Sequence, residues 1–162
     1  DVSSDLTAIA ANPVAVVTSG CKSILDIRAT REALETLGVP VVGFGCDRFP
    51  AFYQRASEAT LDARFDSPGA LAEFIRFELR RSGRGIVVCN PIPVESEIPE
   101  RDWAQWLEAA EAETDAAGRD ATPALLEAVH RLSDGRTVGA NIDLAISNAS
   151  LAGRVAAALH DA

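Results

Sequence analysis

The chain has no methionine, one tyrosine and, against fourteen arginines, one lysine, Lys22. Three cysteines, Cys21, Cys46 and Cys89, are too few and too widely spaced for a disulfide framework or a zinc site. They read as reduced thiols in a cytoplasmic protein. The two histidines, His130 and His160, fall in helical patterns and read as solvated or packing residues. A net charge of −9 excludes a general nucleic-acid binder, which needs a basic face for phosphates. It leaves open a small phosphorylated ligand held by a few local groups. No apolar run approaches the ~20 residues that cross a bilayer, and no leader pattern opens the chain, so no membrane partner is expected. The glycine-rich dinucleotide fingerprint, the Walker loop, the Gly-x-Ser-x-Gly elbow and the His-Glu-x-x-His zinc helix are all missing.

What is present begins with Val14 to Asp26. An apolar strand, Val14 to Val17, runs into the small-residue turn Thr18-Ser19-Gly20-Cys21 and then presents Lys22. Where only positive charge is wanted, this sequence uses arginine. A lysine amine can lose its proton and become a nucleophile or Schiff-base former, which a guanidinium cannot. The alternative is a surface lysine in an arginine-rich composition.

The pattern predicts strands at Val14 to Val17, Val39 to Phe44 and Gly85 to Cys89, each apolar throughout, as in a parallel sheet covered on both faces. Helices are expected over Ser23 to Leu37, from Ser67-Pro68 to about Arg81, over Glu100 to Ala117, from Thr122-Pro123 to before Asp134-Gly135, and over Asn141 to Leu159. In the last, Ile142, Ile146, Ala149, Gly153 and Ala156 mark one stripe. Alternating strands and helices imply an α/β fold. Three strands make a thin sheet, so a further segment is expected to add more.

The strand ends share one edge, where ligands bind in open parallel sheets. They carry Ser19 to Lys22, Gly43 to Asp47 and Cys89-Asn90-Pro91. Asp1, Ser3, Ser4 and Asp5 offer oxygen ligands for a divalent cation or sugar hydroxyls, or else cap the first helix. Asn141 is read as a helix cap or a ligand contact. Phe44, Phe49, Phe52 and Tyr53 either stack a flat ring or cover the sheet edge.

These residues carry a resemblance. DVSSDLTAIAANPVAVVTSGCKSILDI, REALETLGVPVVGF, FPAFYQR, NPIP, the Thr-Pro of ATPALL and ANIDLAISNASLA resemble the pseudouridine-5′-phosphate glycosidase family of indigoidine synthase A-like proteins. The resemblance is collinear over essentially residues 1–162, which match the C-terminal portion of a single longer enzyme domain. It implies a three-layer α/β/α sandwich with a largely parallel central sheet, assembled as a homotrimer. It implies that Lys22 forms a Schiff base with opened ribose, Asp1 holds Mn²⁺ or another divalent cation, and Ser3, Ser4, Asp5 and Asn141 contact ribose phosphate. The family's proton-donor glutamate and second ligand lysine belong to a portion not in this sequence. The implied partners are a sugar phosphate and a planar aglycone such as uracil. Relatives that join ribose 5-phosphate to aromatic polyketide-type acceptors, and an inactive ligand-binding member, are the alternatives. The chain departs from the family at Cys21, at Arg55 to Glu58, at Arg119-Asp120 and at Ser147-Asn148. Those departures leave Lys22, Asp1 and Asp5 in place and bear on the identity of the aglycone.

Overall fold

A computed structural model describes residues 3–22, 26–113 and 121–160. In chain order the elements are α1 (Asp5–Ala11), β1 (Ala15–Thr18), α2 (Ile27–Thr36), β2 (Val41–Phe44), β3 (Ala63–Phe65), α3 (Pro68–Ser82), β4 (Ile86–Cys89), α4 (Glu100–Glu113), α5 (Ala121–Leu132) and α6 (Arg136–His160). A single 3₁₀ turn, Val94–Ser96, precedes α4. The four strands are all parallel, in the order β1-β4-β2-β3.

The apolar runs alternate between two faces. Val87 and Cys89 of β4 and Val41 of β2 point to the side covered by α1 and α2, where Leu6, Ala10 and Leu34 meet them. Ile86, Val88 and Val42 point the other way, onto Leu71, Ala72 and Ile75 of α3 and Leu151 and Val155 of α6. This is the expected three-layer α/β/α sandwich. The period-2 alternation explains why the central strands are apolar throughout: both faces are buried. A third apolar cluster lies off the sheet. Trp103 and Ala110 of α4, Val129 of α5 and Leu144 of α6 pack there around Tyr53, Ile92 and Ile98.

Helix starts follow local chemistry. Asp26 caps α2, accepting the Ala29 N–H at 2.9 Å, and Ser67 caps α3, accepting the Ala70 N–H at 3.2 Å, with Pro68 behind it. Each cap stabilises its helix by about 1 kcal/mol. Gly83 closes α3 in the left-handed region.

Three expectations are corrected. The sheet has a fourth strand, β3, whose three residues include exposed Ala63 and Arg64 and offer no apolar run to read. The last helix begins at Arg136, so Asn141 is inside it and caps nothing. Its buried stripe is Thr137, Ala140, Leu144, Leu151 and Val155, while Ile142 and Ile146 are 55% and 63% exposed. That helix is also long and apolar enough to cross a membrane by length and composition, unlike any run read from the sequence. Its buried stripe packs instead on α3, the sheet and the off-sheet cluster.

Candidate active site

The C-terminal ends of β1 and β4 lie side by side, Thr18 opposite Cys89. The polar residues just beyond them are locked together. Ser19 Oγ donates to the Asn90 carbonyl at 2.9 Å and accepts from Asn148 Nδ2 at 3.1 Å. Asn90 Nδ2 donates to Ser147 Oγ at 3.0 Å and to Asn148 Oδ1 at 2.9 Å. Ser19 and Asn90 are buried. The Ser147-Asn148 departure therefore supplies both acceptors for the Asn90 amide and pins α6 to the strand ends. We expect Asn148→Ala to strand the Ser19 and Asn90 polar groups and cost about 1–3 kcal/mol. Thermal unfolding checks this, with a fall of roughly 3–10 °C.

Gly20 follows with φ +91°. It bridges to Ala51, and the Phe52 N–H donates to the Ser19 carbonyl at 2.9 Å. The 45–62 loop is thereby laced to the turn that presents Lys22. Phe52 itself sits at φ +63°, a costly place for a bulky residue. Its ring borders two cavities, and Lys22 borders both of them.

The larger cavity, about 870 Å³, lies beside β1 and α1 and includes Ser3, Asp5 and Thr18 with an apolar floor of Leu6, Val16 and Val87. The smaller, about 110 Å³, lies between Lys22, Phe52, Tyr53, Trp103, His130 and Asn141. The fold thus gathers Ser3, Asp5, Lys22 and Asn141 around two adjoining spaces. Ser4 lines neither; it is exposed, and its carbonyl accepts the Thr7 hydroxyl at 2.7 Å. Ser3 Oγ accepts the Asp5 N–H at 3.2 Å, so it also serves the first turn of α1. Asp1 lies outside the described residues. Among those residues no three His, Cys, Asp or Glu side chains converge on a point where a metal would be held. Among the described residues Asp5 is the one carboxylate on the larger cavity.

Of the four loop aromatics, Phe49 and Tyr53 are buried and belong to the core. Phe44 lies under the Arg154 guanidinium, 5.4 Å from the ring centroid. Phe52 borders both Lys22 cavities, Phe49 the larger one and Tyr53 the smaller. The Arg55 departure is a brace: its guanidinium donates to the Ile92 carbonyl, and its N–H to Glu97 at 2.9 Å. His130, read from the sequence as a solvated or packing residue, lines the smaller cavity.

Cys21 precedes Lys22 but is a poor rival nucleophile. Burial pushes its thiol up from the ordinary value, and it pushes Cys46 up to about 11 and Cys89 higher still. A thiol is reactive only as thiolate. We expect slow alkylation of all three at pH 8 in the folded protein, and Cys21→Ala to keep activity within about threefold. Timed labelling with iodoacetamide, followed by mass spectrometry, checks it.

Comparison with known proteins decides the family. The model of the indigoidine synthase A like proteins matches residues 1–158. The chain belongs to that family. It is 46% identical to a pseudouridine-5′-phosphate glycosidase of Paracoccus denitrificans, covering 98% of this chain and 54% of that protein. It is also 46% identical to one from Methylobacterium nodulans, over 100% of this chain and 49% of the relative. The chain therefore spans about half the length of these curated relatives. Among solved structures it matches the prealnumycin C-glycosynthase AlnA in complex with ribulose 5-phosphate at a TM-score of 0.88 and 33% identity, over 97% of this chain and 53% of that one. An indigoidine synthase A-like protein of Thermotoga maritima matches at 0.84 and 36%, over 96% and 53%.

Proposed function

We propose that the protein carrying this chain makes or breaks a carbon–carbon glycosidic bond between ribose 5-phosphate and a planar base such as uracil, through a Schiff base on Lys22. The observation that carries this reading is the placement of the sole lysine. It stands at the ligand-binding edge of a parallel sheet, between two cavities bordered by Ser3, Asp5 and Asn141. Two relatives bear the glycosidase name, and a structural neighbour holds a pentulose phosphate.

The chemistry suits an amine. A C-glycoside has no leaving oxygen to protonate, so paired carboxylates have little to work on. With the ribose ring open and C1′ bonded to Lys22 nitrogen, the nitrogen lone pair forms C1′=N and expels the C1′–aglycone pair. That pair and one proton end on the aglycone carbon. Water then adds to C1′=N, returning the amine and the open-chain sugar phosphate. Every step reverses, which serves synthesis as well as cleavage. Ser3, Ser4, Asp5 and Asn141 are proposed as ribose-phosphate contacts. Asp1 is proposed to hold Mn²⁺ or another divalent cation, which would orient ligand groups and water. Chelation that leaves turnover unchanged would overturn that assignment. We place the enzyme in the cytoplasm as a homotrimer, which light scattering can check.

A second reading follows from AlnA and from the aromatic wall of Phe52, Tyr53 and Trp103: joining of ribose 5-phosphate to an aromatic polyketide-type acceptor. One assay separates the two. The full-length protein is supplied with ribose 5-phosphate and either uracil or phenolic and quinone acceptors. We expect turnover with uracil. Turnover only with the aromatics would replace the first reading by the second. Neither reaction, with no adduct on Lys22, would point to the inactive ligand-binding member.

A further inference from the structure

An ammonium cannot attack a carbonyl, so Schiff-base chemistry at Lys22 needs a proton acceptor close by. The smaller cavity offers one. His130 shares that cavity of about 110 Å³ with Lys22 and Asn141, a space with room for bridging water.

A closed ring of hydrogen bonds around the imidazole is fully satisfied by one tautomer. Ser133 Oγ lies 3.0 Å from the His130 carbonyl, which can only accept, so the serine proton is used there. Ser133 and Thr137 hydroxyls are 2.9 Å apart and either can donate; with the serine proton on the carbonyl, the Thr137 proton points to Ser133. Thr137 Oγ1 is 2.5 Å from His130 Nδ1 and has no proton left to give. The proton between them therefore belongs to Nδ1. Both hydroxyl residues are buried, at 2% and 0% exposed, so water does not loosen the arrangement. Nε2 is left as the ring nitrogen able to take up a proton, and protonating it disturbs none of these bonds.

We propose that His130 is the proton-transfer residue for imine formation at Lys22, an inference that rests on the Schiff-base reading above. Nε2, directly or through one water, takes a proton from the Lys22 ammonium. The free amine adds to C1′ of open-chain ribose 5-phosphate, and the C=O electron pair moves to oxygen. The imidazolium returns the proton to that oxygen, and Nε2 next takes a proton from the new C–N nitrogen. It delivers this to the hydroxyl, which leaves as water while the nitrogen lone pair closes C1′=N. Charge is conserved: one ammonium and one aldehyde become one iminium and one water. Phe52, Tyr53 and Trp103 line the same cavity. In the reverse direction the same nitrogen activates the hydrolytic water.

The test uses the native full-length protein with ribose 5-phosphate and cyanoborohydride, with no aglycone, and follows the rate at which the adduct accumulates on Lys22. His130→Ala should slow it about 100-fold, and added imidazole should restore much of the loss. His130→Gln, which fills similar space but takes up no proton near neutrality, should be comparably slow while its circular dichroism matches the parent. Either variant trapping at the parent rate overturns the proposal. A slow, folded His130→Ala that imidazole leaves slow also overturns it, since that is the behaviour of a merely structural residue. A parent that forms no adduct would overturn the Schiff-base reading itself, whereas a parent that traps beside equally fast variants removes His130 alone.

Discussion

Lys22→Arg should turn over no faster than Lys22→Ala, with both losing activity by roughly four orders of magnitude or more while the fold survives. Nucleophile deletions in covalent catalysis have effects of that size, because the remaining groups act only through the missing bond. Arginine keeps the charge and most of the reach but cannot lose its proton. A role that needed only positive charge would survive the change. The fold should survive because Lys22 is exposed and contributes little packing. Steady-state kinetics with circular dichroism as control checks both halves, and an active arginine variant would reduce Lys22 to an anchor for phosphate.

Gly20→Ala should be nearly as damaging by a different route. At φ +91° an alanine is strained, and its Cβ would fall 1.8 Å from the Pro50 carbonyl oxygen. Backbone has to move, because the obstacle is not the tip of a flexible side chain. Gly20 is one residue past buried Ser19 and two before Lys22. The shift therefore reaches the amine, and a displacement near 1 Å can cost about 100-fold in rate. We expect at least about 3 kcal/mol of lost stability as well. Denaturant unfolding and kcat together test this. A variant with unchanged stability and unchanged kcat would mean that the turn yields without moving Lys22.

Much of this was legible in the residues. Continuous apolar runs marked β1, β2 and β4, and in the two inner strands, β2 and β4, both faces are buried. The isolated lysine after a Ser-Gly turn marked the sheet edge because charge alone would have been arginine. What stayed hidden depended on partners far away in the chain. β3 is held by pairing with β2, not by its own pattern. The phase of α6 was misread because two of its branched apolar side chains, Ile142 and Ile146, face outward while Thr137 and Ala140 face in. The lock between Ser19 and Asn148 spans 129 positions, and no local motif announces it. The place of His130 on the smaller cavity was hidden too, because that space is bordered by α4, the 45–62 loop and Lys22 together.

The central claim is covalent capture of the sugar on one named nitrogen. The most direct measurement incubates the full-length protein with ribose 5-phosphate, reduces with borohydride, weighs the product and maps the modified peptide. The account predicts a single sugar-phosphate adduct on Lys22, absent from Lys22→Ala and Lys22→Arg. Normal turnover of the C-glycoside by a protein whose Lys22 is never modified would contradict it.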